Sequence, residues 1–195
     1  MKKTFIAATM ALGMGLSAMA QSANPLLERR FNTPYEIAPF EKITTENYRE
    51  AFLRGMEEQK KEIDAIVTNA DAPSFENTIV ALDESGQLLS RTSGVFYGLS
   101  RSCSTPEYQQ LESELSPLLS AHSDYINMNE ALFQRVKTVF DKMETLNLNT
   151  EQKRLLDKTY KGFVRGGANL SEEDKAVYSK LSEELSLTTL QFSKN

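Results

Sequence analysis

From residue 44 onward, apolar side chains recur at steps of three, four and seven, the spacing that lines one face of an α-helix. Thr44 or Thr45 opens the first predicted helix, faced by Tyr48, Phe52, Met56, Ile63, Ile66 and Val67, and the turn-forming stretch TNADAP ends it. Ser74 caps a second, with Phe75, Ile79, Leu82, Leu89 and Phe96 on one side. Thr105 caps a third, and Pro106 takes its first helical position, where a missing N–H costs nothing. Its stripe reads Tyr108, Leu111, Leu115, Leu118 and His122, and Pro117 inside it predicts a kink or a split. Asn127, with Glu130 three residues on, opens a fourth helix faced by Leu132, Phe133, Val136, Val139, Phe140 and Met143. Asn149 or Thr150 opens a fifth through Leu155, Leu156, Tyr160, Phe163 and Val164, which Gly166-Gly167 stops. Ser171 caps a sixth, with Glu172, Glu173 and Asp174 in its first turn and Val177, Leu181, Leu185 and Leu190 as its apolar positions. Alternating runs rich in β-branched residues do not occur, so the pattern predicts an all-α fold of about six helices.

The pattern changes before residue 44. Residues 21–43 form a polar lead punctuated by Pro25, Pro34 and Pro39, expected to be extended. Residues 1–20 read as a signal peptide: Lys2 and Lys3 precede a short apolar run, and Ala18-Met19-Ala20 offers a small-x-small cleavage site before Gln21. The mature protein is thus expected to be exported, periplasmic or secreted, with no membrane anchor once the leader is removed. Residues 44–195 form the predicted helical lobe.

Loss of 20 residues leaves 175 of 195 and removes two lysines, which moves the formal charge from −5 to −7. That acidic balance argues against a nucleic-acid surface, which needs a clustered basic face. Cys103 is the single cysteine, so no intramolecular disulfide can form in the oxidising destination. With one cysteine and one histidine, the chain also lacks the ligands of a structural zinc site.

Few residues offer chemistry. His122, the single histidine, has no second ligand or nucleophile assigned to it and sits on an apolar stripe, the place of a packing or surface histidine. Cys103 lies in the loop SRSCSTP with no resolving partner and reads as an inert thiol. Gly94 and Gly98, with Gly86 and Ser93 nearby, read as a seam of close helix–helix approach. VRGGANLS lacks the strand and lysine of a phosphate loop and reads as a helix–turn–helix junction. Asn169-Leu170-Ser171 matches a glycosylation acceptor, though Ser171 is better used as a cap. The Glu/Lys runs at 57–62 and 172–175 read as solvated helix faces. No catalytic, cofactor-binding or metal-binding residue is assigned.

Phe75-Glu76-Asn77-Thr78-Ile79, followed by Ala81-Leu82 and Gly86, resembles the N-terminal signature of the thimet-oligopeptidase-like zinc metallopeptidases. Within that family it is most similar to the bacterial peptidyl-dipeptidases (dipeptidyl carboxypeptidases). NPLLERRFNTPYEIAPFEKITTENYREAF resembles the family's opening, and SAHSDYINMNEALFQRVKTVF and FVRGGANLSEEDKAVYSKLSEELSLTTLQFSKN resemble its next two blocks. The resemblance covers residues 24–195. It implies a two-lobed, almost wholly helical enzyme around a narrow channel that admits short unstructured peptides. Its zinc would sit on an H-E-x-x-H helix with a glutamate ligand further on, in a C-terminal part. No H-E-x-x-H occurs here, so no catalytic or metal residue is carried over. The resemblance also implies that the helix over 171–193 continues and that a long catalytic lobe follows.

The leading expectation is therefore the N-terminal, channel-wall portion of an exported zinc peptidase, a monomer inactive alone, with zinc held only in the full-length relative. The alternative is a complete, non-enzymatic helical module that binds extended peptides or a partner protein. An oligomer built on the Gly94 and Gly98 seam is a third reading. Arg91, Tyr97 and Arg101 are candidates for a channel-facing side.

Overall fold

A computed structural model describes residues 24–193, so the predicted signal peptide lies outside the described residues. The all-α expectation holds: no strand occurs among the described residues. The elements are α1 (Thr45–Val67), α2 (a π-helical Phe75–Val80 running into an α turn, Ala81–Asp83), α3 (Gln87–Ser100), α4 (Pro106–Asn127), α5 (Glu130–Phe140), α6 (Thr150–Arg165) and α7 (Glu172–Ser193). Six of them are α-helices of eleven residues or more. None is long and apolar enough to cross a membrane.

Helix starts follow local chemistry. Thr44 and Asn47 satisfy each other's backbone N–H groups at 3.2 and 3.0 Å, and Ser74 with Asn77 repeats that box before α2. Asn149 and Gln152 do the same for α6, while Thr105 and Ser171 each accept a single N–H, from Tyr108 and Asp174. Each such cap adds about 1 kcal/mol to its helix.

Two cores form, and α1 belongs to both. Its C-terminal half (Ile63 and Ile66) packs with α2, α5 and α6 around Ile79, Leu132, Val136 and Leu156. Its N-terminal half (Tyr48, Ala51 and Phe52) packs with α3 and α4 around Phe96, Leu111 and Leu115. Phe52 and Phe96 are fully buried and meet edge to face at 5.5 Å between ring centres. Burying side chains of that size gives about 1.5–3 kcal/mol each.

Residues 24–43, expected to be an extended lead, instead make three short 3-10 turns: Pro25–Leu27, Pro34–Glu36 and Phe40–Lys42. They pack onto the second core through Leu26, Phe31, Ala38 and Ile43. Arg91 fastens them by donating to the carbonyls of Leu26 and Arg29 at 2.9 and 2.6 Å.

Several sequence expectations are corrected. The predicted second helix is broken at Gly86, whose φ of +70° turns the chain between α2 and α3. A side chain there would also strike the Gln59 amide. Asn129, not Asn127, caps the fourth predicted helix, accepting from the Leu132 N–H at 2.9 Å. α4 runs through Pro117 without splitting, held on both sides of it by buried Leu111, Leu115 and His122. Leu118, placed on that buried stripe, is 45% exposed. Gly94 and Gly98 face open space, whereas Gly55, which drew no attention in the sequence, is where α1 and α3 touch.

Candidate functional site

α7 packs on α4 through its small and polar side. Ser186 meets Ser116 with hydroxyl oxygens 2.6 Å apart, and Ser179 reaches the Met128 sulfur at 3.7 Å. The apolar positions Val177, Leu181 and Leu185 consequently point outward, 55%, 59% and 68% exposed, with Phe192 beyond them. An apolar stripe normally turns inward. Here the close-packed serines occupy the inner face, and the stripe has no partner among the described residues.

Beneath one end of this layer, α3, α4 and α7 enclose a cleft of about 540 Å³. Tyr97, Ser100 and Arg101 contribute from the end of α3, Ser104 from the following loop, Gln109 and Glu112 from α4, and Leu190 from α7. The Tyr97 ring is fixed edge-on against Phe96 and Phe52, with centres at 5.1 and 6.4 Å. Burial raises the pKa of its hydroxyl; Glu112 adds to that shift and Arg101 opposes it. Both charges therefore act on the same phenol. Of the three channel candidates, Tyr97 and Arg101 come together here. Arg91 does not, because the lead turns engage it. Ser100 and Glu112 went unnoticed in the sequence, since neither interrupts the helical period.

His122 is buried at the α1–α4 interface, its Nε2 2.8 Å from the Gln59 amide oxygen, and Gln59 in turn donates to Ser85 at 3.2 Å. Glu62 accepts the Gly86 N–H at 2.7 Å. The histidine is thus a packing residue. Its Nδ1 has no partner, and burial, with nearby Lys60, lowers its pKa. Part of the 57–62 run is likewise engaged rather than merely solvated, while Lys61 and Glu57 form a surface pair at 2.6 Å. Cys103 is free and exposed. Among the described residues no group of three or more His, Cys, Asp or Glu could hold a metal ion, so the residues present do not fit a zinc site.

No protein-family model matches the chain. Individual proteins do. A dipeptidyl carboxypeptidase of Salmonella typhimurium is 40% identical over 171 residues, 88% of this chain and 25% of that protein. The dipeptidyl carboxypeptidase of Escherichia coli is 37% identical over 169 residues, and oligopeptidase A of the same organism 27% over 172. The chain matches the N-terminal part of a thimet-oligopeptidase-like peptidase. It spans 25% of the length of each of these three relatives.

Proposed function

We propose that this chain is the N-terminal, channel-wall portion of an exported zinc metallopeptidase that hydrolyses short peptides. The zinc ligands and the catalytic glutamate would lie in a C-terminal lobe outside the chain. Sequence similarity to dipeptidyl carboxypeptidases and oligopeptidases supports the class. The observation that carries the reading is the stripe of Val177, Leu181 and Leu185 turned away from the lobe's own cores. Exposed apolar stripes of this length mark surfaces that another structure covers, and a catalytic lobe docked along α7 would cover this one. The wall would act by exclusion, narrowing the approach so that only unfolded peptides reach the metal. Export rests on Lys2, Lys3, the apolar run and Ala18-Met19-Ala20.

Reading the frame beyond the Asn195 codon tests this directly. Continuation into an H-E-x-x-H supports the proposal, and a stop with no complementing frame nearby removes it. The purified chain should cleave no peptide and retain no stoichiometric zinc, and one zinc per chain would be incompatible with the reading.

A second reading, an exported non-enzymatic binding module, draws on the two cores that form within the described residues. It requires a cooperative, fully protected domain, so rapid amide exchange along α7 would count against it.

A further inference from the structure

The cleft between α3, α4 and α7 holds polar groups that the fold leaves unused. Among the described residues, the side chains of Arg101 and Glu112 and the Ser100 and Tyr97 hydroxyls all line it, yet none of these groups makes a side-chain hydrogen bond or an ion pair. Elsewhere opposite charges in reach of one another close up, as Arg49 does on Glu114 at 2.7 Å and Lys161 on Asp157 at 2.8 Å. Arg101 and Glu112 sit close enough to act on the same phenol but do not meet. Ser100, only 8% exposed as a residue, lines the cleft beside them.

We propose that this cleft binds a small zwitterion of amino-acid or short-peptide size, Arg101 taking the carboxylate and Glu112 the ammonium group. The guanidinium fork matches a carboxylate with two parallel N–H donors. Ser100 and Tyr97 supply further hydroxyls beside that charge. The Tyr97 ring and Leu190 give an apolar wall for a side chain, and the volume lies within the range of small-molecule sites. A molecule with both charges bridges the gap that the two side chains leave, whereas a simple anion or cation satisfies one and leaves the other bare. The inference stands on the cleft alone and does not require the peptidase reading.

Isothermal titration of the 195-residue chain with L-phenylalanine, L-leucine and glycylglycine tests it. At least one should bind at millimolar concentration or tighter, while L-phenylalaninamide and N-acetyl-L-phenylalanine bind about tenfold more weakly or not at all, as loss of one charged hydrogen bond implies. Arg101→Gln should abolish discrimination against the amide, and Glu112→Gln discrimination against the N-acetyl compound. Both side chains lie outside the two cores, and an unchanged circular-dichroism melt verifies that each variant folds. Failure of all three zwitterions to bind, or equal binding of the blocked and unblocked compounds, overturns the proposal.

Discussion

His122 meets Gln59 across the interface of α1 and α4, Nε2 to Oε1 at 2.8 Å, while its other ring nitrogen has no partner. A protonated imidazole would bury an N–H with no acceptor, beside Lys60.

The folded protein therefore holds His122 neutral, with a pKa below that of the unfolded chain. The unfolded state binds the extra proton, so the contribution is present above the unfolded value near 6.5 and is lost as pH falls towards the folded one. Urea midpoints should fall between pH 7.5 and pH 5. His122→Leu should flatten that slope and cost about 1–3 kcal/mol at pH 7.5, because it orphans the Gln59 oxygen. An unchanged slope in the variant would refute this assignment.

Gly55→Ala should destabilise by about 1–3 kcal/mol. The new methyl would sit 2.9 Å from the Leu89 backbone, which cannot retreat without parting α1 from α3. Gly94→Ala and Gly98→Ala enter open space inside a helix and should instead stabilise by about 0.5–1 kcal/mol each. Thermal melts of the three variants would separate the contact glycine from the other two.

Arg135, 9% exposed on α5, donates to the carbonyl oxygens of Asn69 and Asp71 and to the Asn77 side chain. Arg135→Leu should cost about 2 kcal/mol or more, since those carbonyls lose a charged donor. Hydrogen exchange should then accelerate in residues 68–74 before it does elsewhere.

Leu181→Ser should shift stability by no more than about 0.5 kcal/mol, as an outward position allows. Leu115→Ala, at a side chain 1% exposed, should cost about 2–5 kcal/mol. Denaturant titration of both variants would show whether α7's apolar stripe contributes to folding. A cost for Leu181→Ser equal to that for Leu115→Ala would contradict the outward orientation.

Helix starts were legible because capping is local: Thr44, Ser74, Thr105, Asn149 and Ser171 act within three residues of themselves. Faces were less so. The period joins Leu82 to Leu89 across the break at Gly86, because a turn of suitable length keeps the phase. Periodicity finds Val177, Leu181 and Leu185 on one side of α7 but cannot say which side goes in, and the serines opposite them decided that. Small residues misled for a similar reason. Gly94 and Gly98 form a motif, whereas Gly55 does its work alone against a segment distant in sequence. Of the cleft, Tyr97 and Arg101 could be suspected from their chemistry. Glu112 and Ser100 join them only through the crossing of α3 and α4, which no local pattern encodes.

α1 is 23 residues long, or about 35 Å at 1.5 Å per residue, and it threads both cores. A helix anchored along its length on two sides behaves as a beam. A sharp kink between the two cores would disrupt main-chain hydrogen bonds of α1 as well as part its neighbours. α1 thereby couples the two cores mechanically, so a displacement of one is carried to the other.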